Sequence, residues 1–510
     1  MKWKELLAIF MCCIGLHVSG QIYFQKNIGT GFAGEAHSVC LSTDQRYVAA
    51  CAGSLYKIDS SGYVVWVKKY LSPLMYSNSF VIRQSSGGYM MIFEIKSGGF
   101  GLNDMMVFST DSSGAIDWIR TFGGVGTDVP GSIVECGNGD FVLAGQSDAL
   151  NGSQVDVLLM RFNKYGNQFW QRSYGSASDD DDAEKILVTQ TGDLLVGGRM
   201  WSQISLLKTD ANGVERWCKT YGMGSLFDLI EDKQTGDFYA CGTTEPDNSK
   251  SQRNAFVMKT DSAGTVVWAK VVGNNVDATA YSITADSAFT QLVVSGEIAN
   301  DTLSNSKAFT CAMNPANGAL IWNKHYGQAT RDVFYDAMIT DDAMLVQVGY
   351  SATSDTLLRN VFVVKTPLTG ESDCGVEDVV SSVDSLLSLQ AIDFAYLQDS
   401  GEIFVMTKCF PPSWITFYEH TYCTNGKAAI ASENQLGLHP NPSTGSIRVD
   451  FALTDTKTIE IFNATGRLVY KQNYGHVSGA EIDLSGKPAG VYLVVVKTEK
   501  VCYKQKVVIE

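Results

Sequence analysis

Short stretches of apolar residues, separated by polar turns, follow one another along most of the chain. "SIVECGNGD" and "KILVTQTGD" alternate apolar and polar positions and end in a Gly-Asp turn, whereas "FVLAGQ", "LLVGGR" and "FYACGT" are apolar and end in or near glycine. Alternation with period two, bounded by Gly, Asn and Asp, predicts β-strands joined by tight turns. Each such pair of strands is followed by a third and a fourth around a segment of the type "KTDANGVERW", so the predicted unit is four strands, A to D.

That segment recurs in register. Trp66, Trp118, Trp170, Trp217, Trp268 and Trp322 each lie four residues after a glycine (Gly62, Gly114, Gly166, Gly213, Gly264 and Gly318). A seventh copy, "KTPLTGESDC", has Gly370 and puts Cys374 in the tryptophan position. Four short antiparallel strands per roughly 40–50 residues mark a β-propeller blade, and blades are stable only when they stack into a closed ring. "QIYFQKNIGTG" reads as a lone strand D with Phe24 in the tryptophan position. "AIDFAYL", "EIFVMTK" and "WITFYEH" read as A, B and C without a D. The expectation is an all-β chain with an eight-bladed propeller closed by the N-terminal strand. Seven blades is the alternative, because residues 374–390 carry little strand signal.

In "KTDANGVERW" an Asp opens a four-residue turn and Gly occupies its fourth place. The carboxylate accepts backbone N–H groups, and glycine supplies the left-handed conformation that follows a type I turn. The tryptophan then lies on strand D, where its ring covers the space between blades. The motif resembles the tryptophan-docking motif of quinoprotein dehydrogenases, but those enzymes need a vicinal cysteine pair, which the chain has only at Cys12–Cys13 in its N-terminal apolar run. It also resembles the sialidase Asp-box, from which its D-x-x-G-x-x-x-W spacing departs by one residue on each side. Neither catalytic function carries over.

Function is therefore expected in the loops. The A–B and C–D turns are tight, whereas B–C connections such as "GQSDALNGSQVD" and "GTTEPDNSKSQRN" are long and polar, so the face shared by B–C and D–A connections is the candidate binding face. Trp201 and Trp414, outside the repeat register, fall at B–C connections and are the candidate ligand contacts. The D–A segments carry Asp128, Asp179, Asp180, Asp181, Asp182, Glu184, Asp228, Asp277, Asp332 and Asp336. Several of these acids could cluster near the axis, and the run Asp179 to Asp182 is the candidate site for a structural calcium ion, which favours carboxylate oxygens. No other cofactor and no catalytic residue is expected, since the histidines show no metal spacing and no carboxylate pair stands out.

The 510 residues carry a net charge of −15 with no basic stripe, which argues against nucleic acid as a partner. Residues 1–20, with Lys2 and Lys4 ahead of an apolar run and Val18-Ser19-Gly20 at its exit, read as a secretory signal peptide. No other stretch is long and apolar enough to span a bilayer. In an exported chain Cys40 with Cys51, and Cys409 with Cys423, are spaced to bridge neighbouring strands; buried thiols are the equal alternative.

After the polar segment 424–436 the repeat gives way to another β pattern: "LHPNPSTGSIRVDF", "TIEIFNATGRLVYK" and "AEIDLSGKPAGVYLVVVK". Its turn signals suit a small Ig-like sandwich over residues 437–510, after a propeller over 21–423. Pro440, Asn441, Pro442 and Gly445, then Gly466 in "IEIFNATGRLVY", then Gly490 and Tyr492 in "AGVYLVVV", closely resemble the type A C-terminal sorting domain of proteins exported by the type IX (Por) secretion system of Bacteroidota. The resemblance implies export to the outer cell surface or the medium, with the type IX machinery as a partner. The functional expectation is a secreted or surface propeller that binds an extracellular glycan or protein. A carbohydrate-active hydrolase or lyase with acids near the axis is the alternative, and a surface protein without a specific ligand is the second alternative.

Overall fold

The computed structural model describes residues 23–372 apart from 30–33, 52, 71–78, 97–101, 125, 149–154, 176–178, 246–252, 274–276, 300–305 and 353–358. It then describes strand backbones at 376–378, 392–393, 397–399, 404–406, 418–424 and 427–428. From 436 to 509 it describes all but 440–442, 452–456, 464–467, 476–478 and 499–501. The expected signal peptide lies outside the described residues.

The described chain is all β, and it divides into two units, residues 1–420 and 421–510. In the first unit the four-strand repeat folds as the sequence predicts. Ala36–Leu41, Tyr47–Cys51, Ser54–Ile58 and Val64–Lys69 pair antiparallel in order. The A strands of the next five blades are Ser79–Arg83, Asp128–Glu135, Asp182–Val188, the second half of the long strand Glu215–Asp232, and Ala278–Ala285. The seventh is Arg331–Ile339, paired to Met344–Ala352 and then Asn360–Pro367.

The repeat motif makes both its turn and its inter-blade seal. Asp210 Oδ1 accepts the N–H groups of Asn212 and Val214, both at 2.8 Å, and Gly213 has φ of +76°. Asp59, Asp111 and Asp261 repeat the arrangement. Five of the six tryptophan rings then cover the glycine of the next blade: a Cβ on Gly264 would meet the Trp217 ring at 2.9 Å and one on Gly318 the Trp268 ring at 2.8 Å, whereas one on Gly213 would meet Arg172 and Tyr174. Tyr70, Tyr221 and Tyr326 donate their hydroxyls at 2.8 Å to the carbonyls of Gly114, Gly264 and Gly370.

Phe24 takes the tryptophan place, as expected, but in the seventh blade. Phe24–Gly29 pairs antiparallel with Asn360–Pro367, from Phe24 opposite Lys365 to Ile28 opposite Val361. A Cβ on Gly62 would meet the Phe24 ring at 2.7 Å, so this strand seals blade seven onto blade one. Phe24, Ile28, Val346, Val348 and Val363 share one buried apolar cluster with Val39, Tyr47 and Tyr56 of blade one. Each fully buried side chain there contributes about 1.5–3 kcal/mol relative to an exposed one.

Among the described residues, the strands read as an eighth blade do not pair into one. The described strand segments between residues 376 and 406 are two or three residues long and pair with the outer edges of other blades. Val376–Asp378 lies on Lys324–Tyr326 and Ile392–Asp393 on Lys219–Thr220. Leu397–Asp399 lies on Ser173–Gly175 and Phe404–Met406 on Thr121–Gly123. The chain thus visits blades six, four, three and two in turn as a belt. Apolar alternation identifies a strand but does not say which free edge it joins, and every strand D offers an edge of unpaired backbone groups. The third intended strand lies mostly outside the described residues.

The second unit forms two sheets around one core. Leu436–His439, Ser446–Phe451 and Gly479–Asp483 make the first, and Leu468–Tyr474, Lys457–Asn463, Gly490–Thr498 and Cys502–Ile509 the second. Ile447, Val449, Ile459, Ile461, Ile482, Val494 and Val507 meet between them.

Candidate functional site

A cavity of about 410 Å³ runs along the propeller axis, and all seven A strands line it. That volume lies within the ~300–1,000 Å³ usual for ligand sites. Six of the A strands carry a β-bulge at one level, skipping His37, Gly131, Glu184, Phe227, Tyr281 and Tyr335. Bulges re-aim side chains and recur beside functional sites. Here, Gly131 apart, they put a polar or aromatic residue at successive steps around the axis.

The aromatic bulge residues touch in sequence. Phe227 and Tyr281 have ring centroids 5.3 Å apart, Tyr281 meets Tyr335 edge-on at 5.0 Å, and His37 stacks on Tyr335 at 4.4 Å. The result is an aromatic arc across blades five, six, seven and one, with Glu184 of blade four also lining the cavity. Two acids brace the arc. Tyr281 donates to Glu297 at 3.1 Å, and Tyr335 donates to Glu35 at 3.2 Å. Glu297 is paired with Arg331 at 3.1 Å and Glu35 with Arg359, while Arg359 lies over the Tyr350 ring at 4.7 Å. Burial holds His37 down at about 4, so its 3.7 Å approach to Glu35 is a neutral polar contact rather than an ion pair.

The residue after each bulge forms the next layer, with Ser38, Ser132, Lys185, Asp228, Ser282 and Asp336 at equivalent places. Lys185 Nζ lies 2.8 Å from Asp228 Oδ1. Ser282 Oγ sits between the two acids, 3.2 Å from Asp228 Oδ2 and 3.3 Å from Asp336 Oδ1. Both carboxylates also accept from the neighbouring blade: Asp228 from the Ile283 N–H at 2.9 Å, and Asp336 from the Val39 N–H at 2.8 Å. Burial raises Asp336 to about 6, against the pull of Lys185. Burial alone would lower Lys185, but Asp228 and then Asp336 outweigh it and hold the ammonium above its ordinary value. Burial, then the charge of Asp182, pushes Glu184 up to about 8, against Arg199.

Of the acids read from the sequence, the structure brings Glu184, Asp228 and Asp336 to the axis and leaves the others elsewhere. Asp128 accepts from the Gly124 N–H at 2.7 Å, Asp277 from Arg253 at 2.8 Å and Asp332 from Ala329 at 3.0 Å, so each of these ties down its own loop. In the run considered for calcium, Asp179 and Asp180 are exposed and Asp181 and Asp182 are buried. Asp180 accepts from the Val155 N–H at 3.2 Å, Asp181 from Trp201 at 2.8 Å, and Asp182 pairs with Arg199 at 2.8 Å. Among the described residues no three His, Cys, Asp or Glu side chains gather as a metal would need. Trp201 is exposed at the tip of a two-residue B–C turn, with φ of +55° followed by +57° at Ser202. Trp414 and most of the long B–C loops lie outside the described residues. Cys40 and Cys51 are free thiols, so the bridge considered for them is not formed, and Cys409 lies outside the described residues.

The second unit carries a different kind of signal. Residues 437–510 match the family of secretion system C-terminal sorting domains. This module is a sorting domain. In the sorting domain, Gly445 has φ of +124°, and a Cβ there would meet the Ser485 backbone at 2.6 Å, so a larger residue is excluded. Ser443, just before it, donates its N–H to the Val508 carbonyl at 2.8 Å and ties the motif to the last strand. Gly490 has φ of +154°, and Tyr492 is buried with its hydroxyl on the Pro488 carbonyl at 2.6 Å. Pro440, Asn441, Pro442 and Gly466 lie outside the described residues.

No similar sequence was found among curated proteins. Solved structures with a similar chain path include the Pan2 WD40 domain of Neurospora crassa, at 10% identity over 66% of this chain and 90% of that one, with a TM-score of 0.43. Virginiamycin B lyase of Staphylococcus aureus is similar at 11% identity, covering 67% of this chain and 99% of that one, with a TM-score of 0.41. The α-L-arabinofuranosidase Arb93A of Fusarium graminearum is similar at 9% identity over 69% and 94%, with a TM-score of 0.37. These likenesses concern the fold and carry nothing about ligand or chemistry.

Proposed function

We propose that the chain is a binding protein, exported through the type IX secretion machinery to the cell surface or the medium, whose propeller holds an extracellular glycan at the mouth of the axial cavity. The observation that carries the reading is the aromatic arc of Phe227, Tyr281, Tyr335 and His37, braced by Glu297 and Glu35. Aromatic faces beside fixed hydrogen-bonding groups suit the apolar and hydroxyl faces of a sugar ring.

Binding is favoured over hydrolysis because Asp228 and Asp336 are already held by the N–H groups of neighbouring strands, by Ser282 and, for Asp228, by Lys185. Among the described residues this leaves Glu184 as a single unpaired cavity carboxyl, where cleavage needs two. Carboxylates that act as acid and base on a glycosidic bond must face the substrate with free oxygens. The test is a screen of the purified chain against a glycan panel, with hydrogen exchange mapping of every hit. Protection at the bulges 227, 281 and 335 is expected; protection confined to other surfaces, or turnover of a glycan, would overturn the reading.

A further inference from the structure

Glu184 stands apart from the other acids of the cavity. It occupies the bulge position of blade four and lines the same cavity as the aromatic arc, and no hydrogen-bond or ion-pair partner is assigned to it among the described residues. Most other charged groups nearby are matched. Lys185 is held by Asp228, with Asp336 adding its charge, and Arg331 and Arg359 are bonded to Glu297 and Glu35. Asp182 is paired with Arg199 on the same blade. Arg83 of blade two also lines the cavity, but the unmatched carboxyl of Glu184 stands at the bulge next to that of Phe227, the first ring of the arc.

From this juxtaposition we infer that the ligand is an amino sugar, whose ammonium group sits against the aromatic arc and takes Glu184 as its counter-ion. The inference rests on the proposed glycan site and names its ligand class. Ring faces attract a cation through their quadrupole, and a carboxylate in a dehydrated site adds a charge-assisted hydrogen bond. Burial and Asp182 keep Glu184 largely protonated at neutral pH in the free protein. An arriving ammonium stabilises the ionised form, so binding releases the Glu184 proton to solvent and no other bond changes. The remaining groups that face this space either keep one state near neutrality or are already paired. His37 stays neutral, Tyr281 and Tyr335 are raised by burial, Asp228 is paired with Lys185, Asp228 and Asp336 both hold strand N–H groups, and Arg83 faces the cavity from blade two.

The experiment is calorimetry of the full chain at pH 6, where the sugar amines are protonated, with a glucosamine tetramer, an N-acetylglucosamine tetramer and an oligolysine peptide, in buffers of differing ionisation enthalpy. The glucosamine tetramer is expected to bind at least about tenfold more tightly than its acetylated counterpart, with proton release. Glu184→Gln, which keeps the side-chain shape, is expected to bring the two within about twofold and abolish the release. Circular dichroism confirms that this variant is folded, and Phe227→Leu, which keeps the carboxyl, should weaken the glucosamine tetramer without removing the release. Tighter binding of the acetylated tetramer, or a preference unchanged in Glu184→Gln, would overturn the inference while leaving the glycan site standing. Binding of oligolysine in preference to both sugars, or of no sugar at all, would overturn both.

Discussion

Lys185 and Asp228 form an ion pair of 2.8 Å between the A strands of blades four and five, at the wall of the axial cavity. Asp228 is buried, whereas about a third of the Lys185 side chain (36%) is reached from the cavity. Removing the cation leaves Asp228 and Asp336 facing each other across Ser282. Lys185→Met is expected to cost about 1–3 kcal/mol, below the 3–5 kcal/mol of a fully dry pair because channel water screens part of the charge. Urea unfolding checks this, and adding Asp228→Asn should recover part of the loss.

Closure by the N-terminal strand is tested by cross-linking. Asn27 and Phe362 are directly opposite in the pairing of Phe24–Gly29 with Asn360–Pro367. Cysteines at these two places should form a disulfide, and oxidation should raise the thermal midpoint above that of the reduced double variant, which has lost the buried Phe362 ring. A native protein that leaves both thiols free would contradict closure at blade seven. Phe24→Ala should destabilise by about 3–5 kcal/mol, because the ring is fully buried over Gly62.

The cavity acids set an unusual pH dependence. Glu184 is raised to about 8 and Asp336 to about 6, so over the interval between their unfolded and folded values the native state binds more protons. Stability contributed by these groups therefore falls as pH rises through that interval. His37, lowered to about 4, acts in the opposite sense, costing stability as pH falls from about 6.5. Between pH 8.5 and 6.5 Glu184 dominates, and the unfolding free energy should rise on acidification by an amount on the order of 1 kcal/mol, raising the thermal midpoint with it. Glu184→Gln should flatten that slope, as differential scanning calorimetry would show.

The belt shields sheet edges. Leu397–Asp399 and Phe404–Met406 cover the D strands of blades three and two. Replacing residues 397–406 with a Gly-Ser segment of equal length should open those edges to pairing between molecules. Light scattering is expected to show concentration-dependent association absent from the native chain.

Much of the fold was legible because the repeat encodes it locally. The turn Asp, the left-handed Gly and the covering Trp act within one hairpin or on the next blade, and their fixed spacing survives in the sequence. Ring size was not legible at that level, since Phe24 reads as a strand D whichever blade it completes, and the belt strands alternate like any others. At the axis, Asp228 and Asp336 were within reach of sequence reasoning, but Lys185, Ser282, Tyr281 and Tyr335 were missed. The signal was present: the residue after each bulge stands eight to ten positions ahead of the start of strand B, as with Lys185 and Leu194 or Asp336 and Met344. Alignment on the tryptophans hides it, because B–C loops of unequal length fall between. Trp201 drew notice as an unusual residue, yet its exposure at a tight turn reflects local geometry as much as any contact.

The account turns on the arc at the axial mouth. The most direct measurement is the affinity of the full chain for whichever glycan it retains, compared with the Tyr281→Ala, Tyr335→Ala double variant after its fold is verified by circular dichroism. The arc predicts a loss of at least about tenfold, consistent with removing two stacking faces worth about 1 kcal/mol or more each. Undiminished affinity in the folded double variant would place the ligand elsewhere and contradict the account.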